Sequence, residues 1–142
     1  MWVAARSPIT FDYAVANDCN IMCWPLTLPF SEAEKYRGQL DESIAKAGGT
    51  WNRKFALMRH TSVFANAADR EHSIASIRHV LGQFGNLMMK KGDVQNGFPD
   101  QVPLEELDGN VRVEPNMLEE NLMFGSPDTV IEKIKQLSLI HI

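Results

Sequence analysis

Short apolar runs of strand length alternate along this chain with stretches whose apolar residues recur at helical spacing. That alternation restricts the fold more than any other feature of the sequence. The run Trp2 to Ala5 is bounded by Ser7-Pro8 and predicts a buried strand at the very start. Ser7 is a good N-cap and Pro8 a natural first helical residue, whose missing N–H would be unpaired there anyway. Phe11, Ala14 and Val15 then fall at helical spacing, and the helix should end near Asn17-Asp18, two residues that tolerate a left-handed backbone. Ile21 to Trp24, closed by Pro25 and Pro29, predicts a second buried strand.

The pattern continues downstream. Ser31-Glu32-Ala33-Glu34 reads as a capping box, Ser31 as cap and Glu34 reaching back, opening a helix with Tyr36, Leu40, Ile44 and Ala47 on one face. That helix should stop at Gly48-Gly49. Phe55 to Phe64, with β-branched Thr61 and Val63, predicts a third strand. A long helix starting at Asp69 carries the strongest periodic stripe in the chain: Ile74, Ile77, Val80, Leu81, Phe84, Leu87 and Met88. Gly92 to Asn116 is rich in Gly and Pro and predicts an irregular excursion with one short helical turn around Leu104 to Leu107. Gly125-Ser126-Pro127-Asp128 then repeats the cap chemistry of the first helix, with Val130, Ile131, Ile134 and Leu137 as the buried face of a last one.

Buried strands alternating with amphipathic helices imply an α/β fold with a parallel sheet under helices. Three strands are few for that many helices. The apolar first residues and the apolar last ones, Leu137 to Ile142, both read as cut edges, so the expectation is part of a larger α/β domain. With 142 residues the chain is one domain's worth or less. A 44% hydrophobic composition can build a core, and a net charge of -4 speaks against nucleic acid, which recruits clustered Lys and Arg. No apolar stretch is long enough for a membrane span, and no secretory signal opens the chain. Cys19 and Cys23 lack the second Cys/His pair of a zinc site and cannot staple a secreted scaffold, which favours reduced thiols in a cytoplasm.

Chemistry has few places to sit. Ser7-Pro8-Ile9-Thr10 lies where a buried strand passes into a helix, and unpaired N–H groups and partial positive charge at a helix start suit a phosphate. Ser7 and Thr10, three apart, can point both hydroxyls at one anion, with Arg6 just upstream. The spacing equally allows Ser7 to be a cap alone and Thr10 a surface residue. Trp24, closing the second strand before Pro25, can flank a flat ligand or pack in the core. His60, His72, His79 and His141 form no ligand cluster, and His60 beside Arg59 reads as a satisfied core or edge histidine. Glu105-Glu106 and Glu119-Glu120 read as solvated faces. No Ser-His-Asp set, P-loop or GxGxxG is present, so no metal is expected and no catalytic residue is assigned.

Through Trp2 to Thr10, Tyr13-Ala14, the strand Asn20 to Trp24, the helix Ser31 to Gly49, the strand Arg59 to Ala65, Asn66 to His72 and Gly125 to Ile134, the chain resembles the luciferase-like flavin monooxygenases. The resemblance implies a partial (β/α)8 TIM-like barrel: residues 1–142 as a truncated C-terminal part of one barrel domain, roughly strands 5 to 7 with their helices, carrying an irregular insertion at about 92–116. The eighth strand would follow Leu137, a pattern that Ser138 to Ile142 does not continue. It implies that Ser7 and Thr10 contact the cofactor phosphate, that Arg6 contributes, and that Trp24 approaches the flavin.

The function it implies is a monooxygenase using reduced FMN and O2 on a small organic substrate. A flavin reductase or free reduced flavin would supply electrons, and the intact protein would be a homo-oligomer, the fragment itself inactive. Two alternatives stand beside it: an F420-dependent hydride-transfer enzyme of the same fold, and a non-catalytic α/β module whose anion site is incidental.

Overall fold

The computed structural model describes residues 1–25, 27–89 and 93–141, with the backbone alone for 88–89 and 139–141. Gly92, the first residue of the expected excursion, Ile142 and the Met88 side chain assigned to the apolar stripe fall outside that description. Elements run β1 (Trp2–Ala4), α1 (Pro8–Ala16), β2 (Asn20–Cys23), α2 (Phe30–Lys46), β3 (Phe55–Leu57), β4 (Thr61–Val63), α3 (Ala67–Met89), β5 (Val94–Gln95), β6 (Phe98–Pro99), α4 (Pro115–Asn121), β7 (Met123–Gly125) and α5 (Pro127–His141). Short 3-10 turns at Leu104–Leu107 and Val111–Val113 precede α4.

β1, β2 and β3 form one parallel sheet with β2 in the middle, Val3 opposite Ile21 and Ile21 opposite Phe55. α1 and α2 cover one face. Phe11, Ala14 and Val15 from α1 and Tyr36 and Leu40 from α2 close over Ile21 and Cys23 in a single buried cluster. The two helices are clamped at their rim, where the Ser43 hydroxyl donates to Asp12 Oδ1 at 2.6 Å and Lys46 pairs with the same carboxylate at 3.3 Å. The Ser43 bond, and then Lys46, hold the Asp12 carboxyl below its usual range. Trp51 Nε1 donates to the Cys19 carbonyl at 3.2 Å and ties the approach to β3 onto the end of α1.

The expected third strand is two. Met58, Arg59 and His60 break it, so that β3 pairs with β2 while β4 pairs in parallel with β7. Arg59 explains the break: it leaves the sheet line to donate to the Leu28 carbonyl and lies 5.0 Å over the Phe30 ring. β7, buried along its whole length, went unforeseen because three residues show no alternation. A second buried cluster joins α3 (Ile74, Ile77), α4 (Leu118) with Leu122 just past its end, and β7 (Phe124).

Several local expectations are corrected. The capping box at Ser31 does not form: α2 begins at Phe30 behind Pro29, with no side-chain cap, and Glu32 pairs with Lys35 instead. α3 starts at Ala67 rather than Asp69, because Asn66 and Asp69 cap each other reciprocally, Asp69 N–H to Asn66 Oδ1 at 2.9 Å and Asn66 Nδ2 to Asp69 Oδ2 at 2.7 Å. Trp2 and Ala4 are exposed, since alternation along β1 turns only Val3 toward the helices. Val80, Leu87, Ile131 and Ile134 also stay exposed; periodicity marks a face that prefers burial, not that a partner reaches it. The irregular segment contains a hairpin, β5 antiparallel to β6, turned by Asn96 (φ 53°) and Gly97 (φ 84°). Asn-Gly suits the left-handed pair of a tight hairpin turn. The helical turn at Leu104–Leu107 and the end of α1 at a left-handed Asp18 (φ 53°) fall where expected.

Phe11 is fully buried and Ile9, two residues away, is 81% exposed. Phe11→Ala should therefore cost about 3–5 kcal/mol of unfolding free energy, and Ile9→Ala less than about 0.5 kcal/mol, as read by urea denaturation.

Candidate functional site

Because β1, β2 and β3 are parallel, their C-terminal ends share one edge of the sheet. Ala4 leads there into Ala5-Arg6-Ser7, and Cys23 into Trp24. Ser7 holds the N-cap position of α1 with an extended backbone (φ −116°, ψ 153°), and Pro8 takes the first helical place. Its carbonyl accepts from the N–H groups of Thr10 at 2.9 Å and Phe11 at 3.2 Å. Its hydroxyl caps nothing: it lies 3.0 Å from the Thr10 hydroxyl. The two hydroxyls thus stand side by side at the positive end of a nine-residue helix, with exposed Arg6 one residue before them.

The same four-residue pattern recurs as Ser126-Pro127-Asp128-Thr129, where β7 enters α5. There too the hydroxyls are 3.0 Å apart, but Ser126 Oγ also accepts the Thr129 N–H at 3.3 Å. Ser126 is a working helix cap, while the Ser7 hydroxyl is left over. Spacing alone leaves the two copies indistinguishable.

Trp24 is 44% exposed at the end of β2 rather than sealed in the core. Its ring meets Phe84 of α3 edge-on, centroids 5.6 Å apart and planes at 67°. Phe84 belonged to the apolar stripe of a distant helix, and nothing in the sequence connected it to Trp24.

His60 departs from the satisfied histidine that its setting suggests. Its Nε2 is buried without a hydrogen-bond partner, and burial holds its pKa below the usual histidine range. It shares a cleft of about 300 Å³ with His72, Ser73 and Ser76 of α3 and Ser62 of β4. The Ser62 and Ser73 hydroxyls meet at 2.7 Å across the floor of that region. Among the described residues no group of three His, Cys, Asp or Glu side chains is placed to hold a metal, and no helix is long and apolar enough to cross a membrane. Cys19 and Cys23 are both free and buried; burial pushes the Cys23 thiol up to about 12, which leaves it an unreactive apolar side chain.

Compared with curated proteins, the chain is similar to the oxygenase component of the flavin-dependent trigonelline monooxygenase of Acinetobacter baylyi (strain ATCC 33305 / BD413 / ADP1). The two are 27% identical over 135 residues, which is 95% of this chain and 38% of that protein's length. No protein-family model matches the chain, and no solved structure does.

Two outcomes follow from this geometry. Ser126→Ala removes a cap bond and should cost about 1 kcal/mol of stability, whereas Ser7→Ala should cost less than about 0.5 kcal/mol, in parallel thermal melts. His60 has a folded pKa below its unfolded value of about 6.5, so the unfolded chain binds the extra proton first. Stability should fall as pH drops through about 6.5 toward the folded pKa, and His60→Gln should flatten that slope in melts recorded from pH 7.5 to 5. An unchanged slope would show that other groups carry it.

Proposed function

We propose that this chain is part of a flavin-dependent monooxygenase, the observation that carries the reading being its likeness to a flavin-dependent oxygenase component along 95% of its length. In this reading residues 1–142 form the later part of one (β/α)8 barrel of the luciferase-like kind. Parallel strands under helices, and a first sheet whose far face leaves Trp2 and Ala4 open, suit a wall of such a barrel.

The cofactor we assign is reduced FMN. Its phosphate would be held by the Ser7 and Thr10 hydroxyls and the first N–H groups of α1, with Arg6 adding charge. The fit rests on two exposed or half-buried hydroxyls 3.0 Å apart, uncommitted to capping, at the C-terminal edge of a parallel sheet, where α/β folds bind ligands. Trp24, on the neighbouring strand end and half exposed, would flank the ring system. When bound, the flavin supplies the reaction with O2 that oxygenates an organic substrate; the chain's own part is to hold the phosphate, orient the ring and exclude water. Electrons would come from a flavin reductase or from free reduced flavin. A cytoplasmic homo-oligomer belongs to the same reading.

The test is a titration of the full-length protein with FMN and with riboflavin, which lacks the phosphate. FMN should bind more tightly, and Ser7→Ala/Thr10→Ala should weaken FMN about 10–100-fold while leaving riboflavin unchanged. Equal binding of the two flavins would remove the phosphate from this edge. Binding of F420 with neither flavin retained would replace the cofactor.

A further inference from the structure

The strand ends fix the backbone of Trp24 but not its ring. Before it, the Cys23 carbonyl accepts the Met58 N–H at 2.9 Å. After it, Pro25 is fully buried and confines Trp24 to an extended backbone. The indole itself turns about two side-chain torsions. With Trp24 44% exposed at the sheet edge, burial does not choose among its rotamers.

Phe84 of α3, sixty residues further on, supplies what the strand does not. Its ring stands 5.6 Å from the indole with the planes at 67°, inside the ~4.5–7 Å range of edge-to-face pairs. Among the described residues Phe84 joins neither buried cluster. It is half-buried and borders an open groove with Phe98 and Pro99 of the hairpin. Holding a core together is therefore not its main task. The geometry of the contact matters as well. An edge-on partner covers at most one face of an indole, so Phe84 fixes the ring and still leaves a face for a flat ligand.

We infer that Phe84 is a positioning residue for the flavin, acting through Trp24 by holding the indole in the orientation that meets the ring system. The inference rests on the flavin reading above and extends it to a helix distant in sequence from the phosphate edge. An aromatic pair of this kind favours the paired state by roughly two- to tenfold. A ligand that needs that state loses the same factor when the pair is broken.

The test titrates FMN and riboflavin into the full-length protein carrying Phe84→Leu, Phe84→Tyr, Trp24→Leu, or Trp24→Leu with Phe84→Leu. Phe84→Leu should weaken both flavins alike, by roughly two- to tenfold, because the ring system is common to them. Phe84→Tyr keeps the ring and should retain the unaltered affinity. The double variant should bind no more weakly than Trp24→Leu, since Phe84 acts only through the indole. In the flavin-free protein, the near-ultraviolet circular dichroism of Trp24 is read as the difference from Trp24→Leu. That signal should be lost in Phe84→Leu and kept in Phe84→Tyr. Phe84→Met, which fills similar space without a ring, decides the matter if Phe84→Leu does not fold. Unchanged flavin affinity, an unchanged Trp24 signal, or a loss that adds in full to that of Trp24→Leu overturns the inference and leaves the flavin reading standing. Binding of neither flavin by the unaltered protein overturns that reading and this inference with it.

Discussion

Everything near the candidate flavin edge depends on the burial of β2. A strand paired in parallel on both sides has no free backbone groups to offer water, and its side chains on the covered face must find apolar partners. Ile21 and Cys23 are fully buried, and the ladder is continued past the strand ends, Ala5 N–H to the Met22 carbonyl at 3.0 Å and Met58 N–H to the Cys23 carbonyl at 2.9 Å. α1 and α2 exist where they do in order to cover these two positions, with Phe11 and Tyr36 in ring contact at 6.2 Å above them. Once β2 is fixed, the ends of β1 and β2 are fixed beside each other. The strand ends that lead into Ser7 and Trp24 lie side by side for that reason.

The second buried cluster is bordered by a half-buried cation rather than built on a central strand. Lys133 of α5 reaches back and donates to three carbonyls: Glu119, Leu122 at 2.7 Å and Phe124 at 3.0 Å. Helix ends leave carbonyls unpaired, and α4 ends against β7 where water has poor access, so one ammonium with three donors meets what the backbone cannot. Burial lowers the Lys133 pKa while Glu119 opposes that shift. Two motifs that share Ser, Pro and Thr at the same spacing differ in role. Ser126 caps a helix that is anchored from the side, and Ser7 begins a helix held by the core, where its hydroxyl remains available.

α3 does three jobs with one sequence. Its Ile74 and Ile77 enter the second cluster, whereas Phe84 turns its edge to Trp24 and Gly82 and Gly85 line a cavity beside Asn86. A single apolar stripe thus serves a core, an aromatic contact and a pocket wall along 23 residues.

Period and punctuation were enough to determine much of this protein. The strands at Trp2 and Ile21, the helix opened by Ser7-Pro8, its left-handed end at Asp18 and the turn at Leu104 all follow from short-range sterics, capping and alternation, which act within a few residues and so are written locally. The pairing of Ser7 and Thr10 is of this kind. Tertiary structure alone decided the rest. Which side of the chain Arg59 takes to split the third strand, that Phe84 meets Trp24, and that Asn86 is left with an unanswered acceptor all depend on groups distant in the sequence. Local rules fix which conformations a segment prefers. Only packing fixes which polar atoms lose water and which partners they find.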